Sequence, residues 1–255
     1  MELWTPEHAK TLLPATAIMI LLAIGLRFLL KNKSEKIRMI PIQVIAVLLF
    51  ALEVGKQIYS VRHGYDLYHL PFHFCSMFIF MLPIMAFYKG KYMQQVRGIT
   101  AALCMSMSLI LLIYPDLIYS AGNILEFSRN YLSFHTVAFH NLVLFASILI
   151  PALAVHQPQR KASKSIFFFM IGFCAISATM AQLLKTNFNN FYVCNIAPLE
   201  AVRQAVENAC GAVPAMILYV LIVSALDVLV VLGSYQLYLL VRRLFCGKPQ
   251  MALVK

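Results

Sequence analysis

Apolar positions in this chain come in long unbroken blocks, at about 12–30, 39–59, 71–88, 98–119, 133–155, 165–186 and 214–240. Each block approaches or exceeds the roughly 20 residues that cross a hydrocarbon core as a helix. The blocks show no ten-residue alternation. They therefore predict helices rather than a β-barrel, because backbone in lipid must satisfy its own hydrogen bonds. The predicted fold is all-α: a polytopic membrane protein of about seven transmembrane helices, with residues 1–255 forming a single bundle. No internal repeat or low-complexity linker interrupts the pattern.

The polar interruptions assign sides. Arg27, Lys31, Lys33, Lys36 and Arg38 follow the first block, and Lys89, Lys91 and Arg97 follow the third. Arg160, Lys161 and Lys164 follow the fifth, and Arg242, Arg243, Lys248 and Lys255 follow the seventh. The other ends hold only Lys10, Lys56, Arg62, Arg129, Lys185 and Arg203. The positive-inside rule then places the N-terminus outside and the C-terminus in the cytoplasm. Acidic Glu2 and Glu7 precede the first block and its basic cluster follows it, so that block reads as a retained helix rather than a signal peptide. With 61% hydrophobic and 12% charged residues, the chain is far from the roughly 25% charge of a soluble domain. The net charge of +11 comes without a basic stripe or stacking module, so it reads as topology and not as nucleic-acid binding.

Polar groups within the blocks gather towards the outer side, where a cavity opening outward is expected. Glu53, Lys56 and Gln57 share one helical face at i, i+3 and i+4, a spacing that suits an internal ion pair. Pro71 and His73 open the third block, placing His73 about one turn inside, with Cys75 and Ser76 beyond it. Ser133, Thr136, His140 and Ser147 form a stripe on the fifth, with His140 near the depth of Cys75. Thr179, Gln182, Lys185 and Thr186 lie on the sixth, Asn187, Asn189 and Asn190 continue into the outer loop, and Ser224 and Asp227 lie near mid-membrane on the seventh. Hydrogen bonds that only glue helices together are the simpler account of such groups. Cys104 and Cys174 suit apolar packing, Cys246 is cytosolic, and an oxidising exterior would permit a Cys194–Cys210 disulfide. Apolar residues at helical spacing between Cys194 and Pro214, with Gly211 as a C-cap, predict an interfacial helix.

Leu52-Glu53-Val54-Gly55-Lys56, Pro71-x-His73, His140 and Asn189-Asn190 with Cys194 resemble, in order and spacing, the transmembrane protein 164 family and its bacterial YwaF-like branch. The resemblance runs from about residue 50 to 195 and includes the seven-span layout. It implies a multi-pass protein of a bacterial plasma membrane. The eukaryotic branch is regarded as a lipid acyltransferase using a cysteine and a histidine, the cysteine immediately preceding the histidine that matches His73. This sequence has Phe72 there, and its nearest thiol is Cys75.

The resemblance thus implies acyl transfer or acyl hydrolysis on a membrane lipid. Cys75 would be the nucleophile, His140 the base, and His73, Gln182 or Asn190 the oxyanion donors. Glu53, Lys56, Gln57, Lys185, Asn189 and Asp227 would line the cavity. No cofactor and no metal is implied, and the partner is lipid. The alternative is a non-catalytic ligand-binding or transport protein using the same cavity and the charges of Glu53, Lys56, Lys185 and Asp227. A metal held by His69, His73 and His140 is a third arrangement. Pro71 between the first two histidines, and the lack of a completing carboxylate, count against it.

Overall fold

The computed structural model describes residues 3–194 and 197–246; Lys248 and Lys255 of the last basic cluster lie outside the described residues. The helices are α1 (Pro6–Leu30), α2 (Glu35–Arg62), α3 (Met77–Phe87), α4 (Met93–Ile113), α5 (Ala121–Leu125), α6 (Tyr131–Ala152), α7 (Ala162–Leu184), α8 (Ala197–Cys210) and α9 (Ala212–Cys246). Six of them, α1, α2, α4, α6, α7 and α9, are long and apolar enough to cross a membrane. With the 3-10 turn Phe74–Ser76, α3 forms a shorter apolar helix, Phe74–Phe87.

Side-chain bonds show how the helices run. Arg97 at the start of α4 pairs with Glu35 at the start of α2 (2.6 Å), and Gln43 of α2 donates to the Ala86 carbonyl at the end of α3 (3.1 Å). The short α3 therefore returns the chain to the side on which α2 began, making a seventh pass. On the opposite side, buried His8 near the start of α1 donates from Nε2 to the Tyr119 carbonyl (2.9 Å) and accepts at Nδ1 from the Thr5 amide (3.2 Å). This locks the N-terminus to the α4–α6 connection.

The core is centred on α4, which packs against α3, α6, α7 and α9. Small residues on it, Gly98, Ala101, Ala102 and Ser106, let neighbouring backbones approach. Lipid offers no hydrophobic drive between helices, so such close packing is what holds the bundle. Large apolar side chains face outward, as at Leu21, Leu29, Leu183 and Leu229, where acyl chains rather than water solvate them. The basic clusters are also structural. Arg27 and Arg38 donate to the carbonyls of Ala152 (3.2 Å) and Leu153 (2.9 Å), capping the C-terminus of α6, where the helix dipole favours a cation.

Three expectations are corrected. The third block does not become helical at residue 71: Leu70 is extended ahead of Pro71, as a residue before proline prefers, His73 is extended too, and the first turn starts at Phe74. The fourth does not reach residue 119, because Pro115 ends α4 at Ile113 and opens a separate turn. The asparagines after α7 do not run out into an outer loop. Lys185, Asn189 and Asn190 take left-handed conformations and fold the chain back, so that Phe188 and Phe191 are fully buried. The interfacial helix forms as α8, packed against α9 and ended by Gly211 at φ +90°. No bond joins Cys194 to Cys210.

Candidate functional site

Gln57 lies more than a turn below the end of α2, and its amide donates to Glu53 Oε1 (2.7 Å) and to the His69 carbonyl (2.8 Å). Ser177 sits about two turns below the end of α7, and its hydroxyl donates to the Phe72 carbonyl (2.8 Å). These bonds draw the strap 69–73, irregular beyond the 3-10 turn that ends at His69, down between α2 and α7. A second irregular segment, 186–191, meets it there: the Phe72 and His73 rings each lie 5.3 Å from that of Phe188. Irregular backbone at membrane depth persists only where protein or a cavity surrounds it, so this meeting point is the candidate site.

On the α2 side, buried Glu53 gathers several partners. The Lys56 ammonium is 2.8 Å from Oε1, and His135 Nε2 is 3.4 Å from Oε2. That histidine nitrogen is out of line for a hydrogen bond and has no other partner. Tyr65 donates to Gln57 Oε1 (2.8 Å). Gly55 leaves room for Tyr131, whose hydroxyl would lie 2.0 Å from a Cβ built there.

On the α9 side, the Asn189 amide donates to Asp227, and Cys174 Sγ lies 4.0 Å from the same carboxylate oxygen. Gln182 donates to the Phe191 carbonyl (2.7 Å), while Lys185 is exposed.

His140 is buried on α6, and its Nδ1 lies 2.7 Å from the Thr136 carbonyl. A carbonyl only accepts, so Nδ1 carries the proton and Nε2 presents its lone pair. His73 is committed the other way: Nε2 donates to the Tyr68 carbonyl (3.0 Å), leaving an acceptor at Nδ1 and no N–H for an oxyanion in this state. Cys75 and His140 are not hydrogen-bonded to each other, although both lie within electrostatic range of Lys56. Among the described residues no three His, Cys, Asp or Glu side chains converge at metal-holding distance, so His69, His73 and His140 are not a ligand set.

The sequence pattern pairs Glu53 with Lys56 and places Asn189 and Asp227 in one set. It misses His135, which lies off the stripe through His140. The available signal was the carboxylate itself, since a buried Glu needs more donors than one lysine supplies.

The profile of the TMEM164 family matches residues 3–246, nearly the whole chain. No curated protein and no solved structure matches.

Proposed function

This chain belongs to the TMEM164 family of membrane proteins, and from that premise we propose that it is a membrane-embedded lipid acyltransferase or acyl hydrolase working in the outer half of the bilayer. The observation that carries the reading is His140: a buried imidazole whose Nδ1–H is held by Thr136, so that Nε2 is the base. In the covalent form, Nε2 takes the Cys75 thiol proton and the thiolate attacks the carbonyl carbon of a lipid ester. The C–O bond breaks and the departing lysolipid alkoxide takes the proton from His140, leaving an acyl thioester. An acceptor hydroxyl or water, deprotonated by the same nitrogen, then releases the acyl group. In the non-covalent form His140 activates water directly. Lys56, within range of both groups, supplies positive charge for the oxyanion. Hydrogen bonds of this kind often tighten only in the substrate complex.

One observation favours a second reading, ligand binding or transport through the same site: Cys75 and His140 share no hydrogen bond. Intact mass after incubation with mixed phospholipids separates the readings. The covalent form predicts an acyl-sized increase that disappears in Cys75→Ala and is lost or strongly slowed in His140→Ala. Lysolipid release without an adduct, dependent on His140, selects the water route. Neither adduct nor release leaves binding or transport.

A further inference from the structure

On the face of the basic clusters, opposite the site just described, a cavity of about 270 Å³ lies between the first turns of α4 and α7. It is lined by Lys91, Gln94, Gln95, His156, Gln159 and Lys161, with no acidic residue. Neither helix has a side-chain cap or an acidic residue in its first turn. Two helix N-termini, each the positive end of its dipole, therefore converge on one space. Neither Lys91 nor Lys161 is ion-paired with a carboxylate among the described residues.

The decisive group is His156. It is only 5% exposed, it lines the cavity, and its Nδ1 has no hydrogen-bond partner. A buried imidazole nitrogen left open is costly unless something bonds to it. The loop carrying it is held firmly, since Tyr235 accepts from the Gln159 amide (3.0 Å) and Arg242 donates to the Pro158 carbonyl (3.4 Å). The open nitrogen is thus a fixed feature of the fold.

We propose that this cavity binds a phosphoryl group, either the headgroup of a phospholipid in the adjoining leaflet or free phosphate. Phosphoryl oxygens accept from ammonium groups, carboxamides and an imidazole N–H at once, and their charge is favoured by the positive ends of helix dipoles, matching the groups present. The cavity lies where two spanning helices enter the membrane, the level of lipid headgroups. The proposal is independent of the activity assigned to the outer half.

The test uses the full-length protein in detergent, by native mass spectrometry with phosphatidic acid against phosphatidylcholine and by calorimetric titration with inorganic phosphate. The variants are Lys91→Gln with Lys161→Gln, and Gln95→Glu, all at exposed positions whose folding is checked by unchanged melting. Wild type is expected to hold the phosphoryl probe, the double variant to weaken it by about tenfold or more, and Gln95→Glu to abolish it. Retention of phosphatidic acid without phosphate binding names the lipid as the source, and phosphate binding without lipid preference names the soluble anion. No binding of either probe by wild type, or binding that all the variants leave unchanged, overturns the proposal.

Discussion

At the scale of single residues, Glu53 balances the charge of the α2 face. Its carboxylate is buried against Lys56, Gln57 and His135, so Glu53→Ala leaves a largely buried ammonium without its counter-charge. The expected destabilisation is roughly 3 kcal/mol, read as a fall in the SDS fraction needed for unfolding. Replacing Glu53 and Lys56 together by Leu should recover most of it, because no uncompensated charge remains. Recovery absent in the double variant would show that His135, and not Lys56, is the principal partner. Gly55 is required for a different reason. A Cβ there would lie 2.0 Å from Tyr131 Oη and 3.1 Å from Cζ. Gly55→Ala is therefore expected to cost about 1–3 kcal/mol by overpacking. Tyr131→Phe in the same chain, which removes the clashing oxygen, should return part of that loss.

At the scale of elements, the loop between α6 and α7 shows how basic residues serve both topology and structure. Arg38 and Arg242 reach it from two other helices and bond its carbonyls, while Arg27 bonds the last carbonyl of α6. Within it, burial and then the charges of Arg97 and Arg242 push the His156 imidazole down to about 4 from an ordinary value of 6.5. The unfolded chain thus binds the proton more readily than the folded one. The stability that follows from keeping His156 neutral is fully present above pH 6.5 and declines as pH falls towards 4, by up to about 3 kcal/mol. Melting temperature measured across that window should fall in wild type and flatten in His156→Gln. A profile that is equally steep in the variant would assign the acid sensitivity to other groups. A bound phosphoryl group would favour the protonated ring in the folded protein, so adding the ligand of the proposed cavity should shrink the decline.

For the whole molecule, the pairing of α2 with α3 and α4 decides how many times the chain crosses. Contacts between Glu35 and Arg97 and between Gln43 and Ala86 bring the end of α3 to the start of α2. Single-cysteine variants at His63, Lys89 and Arg129, all exposed, should react with a membrane-impermeant maleimide from opposite sides. His63 and Arg129 are expected to label from outside and Lys89 only after the membrane is opened. Labelling of Lys89 from outside together with His63, and of Arg129 only after the membrane is opened, would make α3 a re-entrant segment and remove the seventh pass.

What the sequence determined by itself is the part of the fold that depends on solvent and on local spacing. Lipid selects long apolar helices from composition alone, and basic clusters orient them, so the helical bundle and its polarity are legible residue by residue. Contacts within one helix are legible too: Glu53 meets Lys56 at i+3, His140 reaches the Thr136 carbonyl four residues back, and Gly211 ends α8 where a left-handed residue is needed. The tertiary structure decided everything that depends on which helices are neighbours. The strap leaves helical form after His69 because Gln57 and Ser177, on two separated helices, satisfy the carbonyls of His69 and Phe72, and the turn 186–191 does so where Gln182 and Tyr219 satisfy those of Phe191 and Asn190. His135 meets Glu53 only because α2 packs on α6. The basic-face cavity likewise exists only where α4 and α7 begin side by side. Local spacing sets a side chain's face and depth, and only packing across the bundle sets what stands opposite it.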